Sequence, residues 1–300
     1  MHIKQSKSYK VFYVLNIVLM ILLTVVMVFP YLHILAKAFN DSNDTAKGGL
    51  VFWPRMFTVG NFKMLASNAN LIPSIRVSVL RAVCGTVLGL GVQFGAAYAL
   101  SRKKFPGKKW ITYVIMIPTF LSAGAIPVYV LYSKMGLLNN FWVYILPTLF
   151  SFYNMVIIRS YIENSIPDAI EESALIDGCN EVQIFIKMIL PLSKPILATI
   201  ALWLMVGHWN DYTTTLTYIT NPKLSTLQYN MMEMIKESER IQKMAAAAQQ
   251  SGQVVDQASV PSSDSLISAQ VVLTTVPIMC VYPFLQKYFV KGITLGSVKG

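Results

Sequence analysis

The densest group of ionisable side chains lies between residues 159 and 194. Its six carboxylates are Glu163, Asp168, Glu171, Glu172, Asp177 and Glu181. Two carboxylates that face each other can serve as a general acid and a general base. Glu171 and Glu172 are adjacent, however, and point about 100 degrees apart on a helix, so they do not form a facing pair. These two carboxylates therefore do not predict a site of bond breaking.

Metal and nucleotide chemistry have no support in the spacing of the remaining residues. The three histidines and three cysteines are isolated from one another: His2, His33, His208, Cys84, Cys179 and Cys280. No spacing typical of a zinc site is present, and buried structural thiols are the default expectation. The chain also lacks the G-x4-G-K-S/T loop that cradles nucleotide phosphates. Any ATP-driven step would therefore need another subunit.

The composition indicates that lipid surrounds much of the chain. Its 300 residues are 54% hydrophobic and only 13% charged, whereas a soluble fold carries roughly a quarter of its residues as charged side chains. A helix needs about 20 apolar residues to cross a bilayer. Six uncharged runs approach or exceed that length: 11–36, 82–100, 110–133, 135–158, 195–210 and 266–286. We predict an all-α membrane protein with six transmembrane helices in one polytopic domain, residues 1–300.

Basic residues in the short loops predict the orientation of these spans, because such residues stay on the cytoplasmic side. The loop 101–109 carries five of them, whereas the loop after the third span has only Lys134 at its edge. An even number of spans then places both termini in the cytoplasm. The net charge of +11 is explained by this topology, so we expect no nucleic-acid partner. The stretch 37–81, predicted to lie outside, holds six basic residues, but long loops weigh less in this rule.

The first and fifth apolar runs each allow a second interpretation. The first ends in Ala36, Lys37 and Ala38, which resembles a secretory cleavage site, but it exceeds the ~7–15 residues of a signal core and is expected to remain as a span. The fifth is the shortest, and it would gain residues 188–192 if Lys194 extended its amine to the interface.

The spans also contain residues that affect packing. The second run has Gly85, Gly89, Gly91 and Gly95, twice the small-xxx-small spacing that lets helices approach closely. Prolines interrupt three other runs, at positions 118, 127, 147, 277 and 283, and each removes a backbone hydrogen bond. Kinked bundles suit transporters, but ordinary helix packing accounts for these residues equally well.

The acidic segment has local signals for two helices joined by a glycine turn. Pro167 suits a first helical position, and Gly178 suits a left-handed helix stop. Asn180 and Gln183 form the pattern of a capping box for a second helix that runs toward Pro191. We call residues 167–191 the elbow, and the topology places it in the cytoplasm.

The elbow carries a recognisable signature. Glu172, Ser173 and Ala174 are followed at fixed spacing by Gly178 and by 188–191, which read Met-Ile-Leu-Pro. This string resembles the E-A-A-x3-G-x9-I-x-L-P motif of permease subunits of binding-protein-dependent ABC importers. Ser173 and the methionine at 188 depart from the motif, and both changes are sterically mild. The residues 209–211 and 288–300 are similar to the carbohydrate-uptake class of these permeases.

The resemblance implies a type I ABC importer permease fold, in which the elbow is the coupling helix that docks on a cytoplasmic ATPase dimer. The matching coupling residues are Glu171, Glu172, Ser173, Ala174, Asp177, Gly178, Leu190 and Pro191. It further implies a homologous second permease forming a heterodimer, an extracellular sugar-binding lipoprotein, and a multi-pass location in the bacterial cytoplasmic membrane. ATP and Mg would be bound by the ATPase, with no cofactor on this chain.

The segment 211–265 is predicted to be extracellular. Residues 229–248 alternate apolar and charged side chains in the pattern of an amphipathic helix, and 249–265 is rich in Gln, Ser and Val without aromatic residues. By resemblance this loop contacts the sugar-binding protein. A tolerated surface insertion is an equally good interpretation.

Sugars are bound by aromatic faces and by amide or carboxylate groups, so candidates for a substrate path lie near span ends. They are Tyr153, Asn154, Trp209, Asn210 and Asp211. Aromatic residues also gather at membrane interfaces, so Trp209 is open to either reading. An ion-coupled carrier would place Asp or Glu within its spans, and the six runs contain none. A membrane-embedded glycosyl transferase would need a facing carboxylate pair or a metal cluster.

Overall fold

The computed structural model describes residues 6–296 apart from 51, 104 and 251–262. The chain divides into two compact units. Unit 1 comprises the chain up to Asn68 together with Glu233–Thr275, and unit 2 comprises Ala69–Met232 together with the chain from Val276 onward. The described residues are overwhelmingly helical, as the apolar runs predicted.

Unit 1 contains a long apolar helix that is exposed over most of its length. Helix α1 (Lys7–Ala38) covers the first predicted run, and its N-cap Ser6 accepts a hydrogen bond from the amide of Tyr9. None of the most apolar stretch of α1 is buried. An apolar stretch that is exposed to this extent is stabilised by lipid or by another protein, because contact of apolar surface with water is unfavourable.

The loop after α1 contains a buried polar network. It contains α2 (Ser42–Ala46) and α3 (Gly60–Ala66). Asn61 Nδ2 donates to the carbonyl oxygens of Ala38 and Asn40, both at 2.9 Å. Asn40 in turn donates to Asp44 at 3.0 Å, and Arg55 Nε lies 2.9 Å from the same carboxylate. The hydrogen bond from Asn40 and the charge of Arg55 outweigh desolvation and hold the pKa of Asp44 below its usual value.

Unit 2 is built around helix α4 (Leu71–Ser101), which is longer than the predicted second run. The sequence placed 71–81 in the outer loop because Arg76 and Arg81 interrupt the apolar pattern, and that boundary is wrong. Arg81 is tolerated inside the helix because it is buried against an acidic partner, Asp211. A charge in a span is acceptable when it is paired and directed into the protein.

The third and fourth predicted runs are not continuous helices. Helices α5 (Lys108–Phe120) and α6 (Ala125–Lys134) meet at 115°, at a break where Gly124 has a φ of 84°. The fourth run contains two 3-10 turns (Phe141–Tyr144 and Leu146–Thr148) before α7 (Phe152–Ser165), with a bend of 49°. Among the described residues, three helices are long and apolar enough to cross a membrane, or up to six if each bent pair is one span.

The elbow and the fifth run follow. They consist of α8 (Asp168–Ile176), α9 (Glu181–Ile184), a π-helical turn (Phe185–Ile189), α10 (Leu190–Leu192) and α11 (Lys194–Asn210). The α9–α10 segment meets α11 at 78°, so residues 188–192 do not extend the fifth span along its own axis. The break lies at Ser193, immediately before a helix start that has Pro195 in its first turn.

Three more helices complete the described chain. They are α12 (Thr213–Tyr218), α13 (Leu227–Gln250) and α14 (Ser263–Gly296). Helix α13 covers the predicted amphipathic helix 229–248, and α14 covers the sixth run with two internal prolines. Most of the predicted flexible loop 249–265 lies outside the described residues.

Two glycines allow α4 to approach its neighbours closely. A Cβ atom at Gly85 would lie inside van der Waals distance of the His208 imidazole on α11, and Gly89 faces Leu204 and the carbonyl of Leu149. Gly91 and Gly95 have open space around them among the described residues. The predicted packing role therefore belongs to the first glycine pair and not to the second.

This contact predicts unequal effects of two alanine substitutions on α4. Gly85→Ala should lower the free energy of unfolding by ~1–3 kcal/mol, because the methyl group overfills the space held by His208. Gly91→Ala is the matched control and should be neutral or stabilising by up to ~1 kcal/mol, because it only removes a helix-interior glycine. Denaturant titration in detergent micelles measures both changes.

The double variant Gly85→Ala/His208→Ala should be less destabilised than the sum of its single changes, since neighbouring residues do not act independently. Equal effects of Gly85→Ala and Gly91→Ala would contradict the close α4–α11 contact.

Candidate functional site

The elbow has the predicted local geometry, with small shifts at its ends. Pro167 is the N-cap of α8 rather than its first residue, and the helix ends one residue before Asp177. Gly178 has a φ of 79°, a conformation that favours glycine, and the chain reverses there. Asn180 and Gln183 form both hydrogen bonds of a capping box, at 2.8 and 3.0 Å. Local sequence signals thus determine the helix–turn–helix shape.

One member of the predicted coupling set points into the protein. Ala174 is 0% exposed and packs in the core with Ile162, Ile166 and Ile184. It is therefore the residue that seats α8 on its own chain, because a larger side chain would not fit in a filled core. Glu171 is half-buried, and the other members of the predicted coupling set are exposed: Glu172, Ser173, Asp177, Gly178, Leu190 and Pro191.

Two exposed apolar residues at the end of α8 were missed by the sequence analysis. Leu175 is 54% exposed and Ile176 is 86% exposed, at the tip of the elbow beside Glu172. Val182 and Ile186 on the second arm are also exposed. Large apolar side chains that project together from a loop indicate a protein contact. The signal was present in the sequence, since both residues occupy the variable positions inside the signature.

Glu171 is engaged within the chain. Its two carboxylate oxygens accept hydrogen bonds from both terminal nitrogens of Arg102, just beyond the end of α4. Burial by itself lowers the pKa of the Arg102 guanidinium, but hydrogen bonding to Glu171 and its charge outweigh burial and raise the pKa above its ordinary value. Two further pairs, Lys103–Asp168 and Lys108–Glu163, join the same loop to α8 and α7. The loop 101–109 and the elbow therefore lie at the same end of unit 2.

The second arm changes helix type before Pro191. Proline has no amide hydrogen, so it cannot donate to the carbonyl of the preceding turn. A π-helical turn at Phe185–Ile189 precedes it, and the Leu190 amide donates to the carbonyl of Phe185. Leu190 and Pro191 thus mark a change of helical geometry between the elbow and α11.

The candidate substrate-path residues lie in two places. Tyr153 and Asn154 are in the first turn of α7, where Tyr153 is 64% exposed and its ring stacks on Trp203 of α11 at 6.5 Å. Asn154 is buried. The other three residues, Trp209, Asn210 and Asp211, lie at the C-terminal end of α11. Trp203 was not among the predicted substrate-path residues, because it lies in the middle of an apolar run and nothing in its sequence neighbourhood distinguishes it.

Trp209 and Asn210 have different environments. Trp209 is buried and lines an apolar cavity of about 160 Å³, whose walls include residues of α4, α11 and α14. Asn210 is exposed at the last residue of α11. Among the described residues, no group of three or more His, Cys, Asp or Glu side chains is placed to hold a metal ion.

Asp211 belongs to a buried charged cluster with Arg81 and Tyr144. Arg81 is 1% exposed and donates to both the carboxylate and the backbone carbonyl of Asp211. The guanidinium lies 4.5 Å from the ring centroid of Tyr144, whose hydroxyl donates to the carbonyl of Leu224 at 2.8 Å. The carboxylate of Asp211 also accepts from the backbone amides of Thr213 and Thr214. This cluster fastens the N-terminal third of α4 to Asp211 and to the first of the two 3-10 turns, which carries Tyr144.

The pairing predicts that loss of Arg81 is costly. Arg81→Met should destabilise the protein by about 3 kcal/mol, because it leaves the Asp211 carboxylate without its counter-ion. The matched control is Arg76→Met, the same change at an exposed position of the same helix, which should lie within ~0.5 kcal/mol of the native protein.

Arg81→Met/Asp211→Asn should be more stable than Arg81→Met alone, because the uncompensated charge is removed while the amide oxygen can still cap α12. Unfolding in detergent micelles gives these values, and a double variant no better than the single one would contradict the pairing.

Comparison with known proteins identifies close relatives in sequence. Protein LplC of Bacillus subtilis (strain 168) is 33% identical over 295 residues, covering 98% of this chain and 97% of that protein. The polygalacturonan/rhamnogalacturonan transport system permease protein YtcP of the same organism is 32% identical over 281 residues, covering 94% of this chain and 96% of that protein.

The fold has a solved counterpart. In the crystal structure of a bacterial ABC transporter involved in the import of the acidic polysaccharide alginate, one chain superposes with a TM-score of 0.83. The two chains are 25% identical, and the match covers 96% of this chain and 100% of that one. The permease fold of an ABC importer, which the elbow signature predicted, is thereby confirmed.

A family model described as a binding-protein-dependent transport system inner membrane component matches residues 85–295, which include the elbow and its ion pair with Arg102. With this match and the relative at 33% identity, the chain belongs to the family of binding-protein-dependent transport system inner membrane components.

Proposed function

We propose that this chain is a permease subunit of an ATP-driven importer that carries a sugar or oligosaccharide into the cytoplasm by alternating access. Family membership and relatives named for oligosaccharide transport, such as a maltodextrin and a galactooligosaccharide permease, support the proposal. In this family hydrolysis belongs to a separate subunit. ATP and Mg are accordingly placed on a partner ATPase dimer and not on this chain.

The observation that carries the proposal is the exposed tip of the elbow. Leu175 and Ile176 project from α8 next to the exposed carboxylate of Glu172, while Ala174 and Glu171 hold the helix to its own chain. An apolar tip beside an exposed carboxylate fits a pocket in a protein partner, and the carboxylate can pair with an arginine there. We assign this surface to the cytoplasmic ATPase.

The positions of the loops support the proposed topology. Contacts of the elbow and of the basic loop 101–109 gather at the C-terminal end of α4. At its N-terminal end, Ser74 and Ser78 receive hydrogen bonds from Asn230 and Leu227 of the predicted extracellular segment 211–265. Six crossings with both termini in the cytoplasm account for this separation, and the bent pairs supply three of the crossings.

The other exposed surfaces of the chain are assigned to the remaining partners. The exposed apolar side of α1 faces the lipid bilayer and a homologous second permease, with which this chain forms a heterodimer in the bacterial cytoplasmic membrane. An extracellular sugar-binding lipoprotein delivers the substrate to the 211–265 side. Tyr153, with its ring stacked on Trp203, offers an exposed aromatic face along the path.

Ile176→Ser should weaken capture of the ATPase about tenfold, because it removes most of the apolar area at the tip of the elbow. The control is Met244→Ser, an equally conservative loss of an exposed apolar side chain on α13, which should leave capture unchanged. Copurification of the ATPase with the tagged chain at several salt concentrations gives the comparison. Equal capture by both variants would remove the elbow as the docking surface.

A panel of sugars and oligosaccharides should divide into those that stimulate ATP hydrolysis by the reconstituted complex and those that do not. Stimulation should require the binding protein, because that protein delivers the substrate. Uptake driven by a proton or sodium gradient without ATP would instead establish an ion-coupled carrier.

A further inference from the structure

One stripe of side chains at the end of α4 touches three successive parts of the elbow. Phe94, Tyr98 and Arg102 are spaced four residues apart, so they lie on one side of the helix and its C-cap. Phe94 and Tyr98 are buried, and the side chain of Arg102 is only 20% exposed. We call these three residues the α4 stripe.

Each contact of the stripe is specific in its chemistry. Arg102 forms a two-pronged ion pair with Glu171 of α8, and its guanidinium lies 4.3 Å from the Tyr98 ring centroid. The Tyr98 hydroxyl donates to the Glu181 carboxylate of α9 at 2.9 Å. The Phe185 ring of the π-helical turn packs 4.8 Å from Phe94 and 4.9 Å from Tyr98, between ring centroids.

These contacts tie both arms of the elbow to a helix that is remote from it in sequence. The elbow is covalently joined only to α7 and α11. The stripe adds a third connection, through a two-pronged ion pair and packed aromatic rings, which resist sliding more than a single flexible contact does. A displacement of the elbow as a rigid body must therefore displace the end of α4 as well.

We propose that the α4 stripe transmits movement of the elbow to α4, and that Arg102 is the positioning residue for this transmission. This inference rests on the proposed function. The ATPase then moves α4 together with α7 and α11. Because α4 also holds Asp211 at its other end through Arg81, movement of α4 reaches the outer loops without passing along α11. Loss of Arg102 should separate ATP hydrolysis from transport while leaving the docking surface in place.

The test compares Arg102→Gln with Lys103→Gln in the assembled, reconstituted complex with its binding protein. Lys103 is the matched control, since it forms an ion pair with α8 from the next position but is 80% exposed. We expect Arg102→Gln to retain the ATPase in copurification and to lower the sugar transported per ATP hydrolysed about tenfold. Lys103→Gln should keep the native ratio.

The exchange Arg102→Glu/Glu171→Arg should raise the sugar transported per ATP hydrolysed above the value of Arg102→Gln, because it restores an ion pair. If the Arg102→Gln chain does not assemble into the complex, Tyr98→Phe is tested in its place. This change removes only the hydroxyl that donates to Glu181, and it should also lower the sugar transported per ATP hydrolysed. A native ratio in Arg102→Gln, or in Tyr98→Phe where that variant is needed, overturns the inference. If the unaltered complex neither retains an ATPase nor transports sugar with ATP, the proposed function itself fails.

Discussion

The close contact between α4 and α11 is the interaction on which the rest of unit 2 depends. Gly85 lets the two helices approach until the His208 ring fills the place of a side chain, so a Cβ atom at this position would displace the ring. With the helices in this position, Arg81 meets Asp211 near one end of α4. The other end of α4 meets the elbow that precedes α11. The two ionic contacts of α4 are thus consequences of one helix–helix packing.

This arrangement makes the elbow a part of the folded core. Ala174 is buried among isoleucines, and Glu171 is held by Arg102, so α8 has a fixed position on its own chain. The exposed part of α8 includes Leu175 and Ile176 beside the carboxylate of Glu172. A rigid arm with an apolar tip can pass a push from a partner into the membrane helices, whereas a flexible loop would absorb it.

The sequence predicted the local features well, because each depends on neighbouring residues. The capping box at Asn180, the reversal at Gly178 and the helical class of the apolar runs are of this kind. The predicted helix boundaries were less accurate where a residue distant in sequence stabilises a charged side chain inside the helix. The second span was started eleven residues late, at position 82 instead of Leu71, because arginines were read as loop residues. The buried Arg81 is compensated by an aspartate 130 residues away.

By itself, the sequence determined that this chain is helical, lies in a membrane and carries an importer-type elbow, since hydropathy, capping and turn formation act over a few residues. Only the tertiary structure decided which members of the signature are buried and which are exposed. It also showed that Phe94, Tyr98 and Arg102 meet the elbow, and that three of the candidate spans among the described residues are bent helix pairs. The physical reason is that burial and ion pairing depend on which segments share space, and a linear pattern does not contain that information.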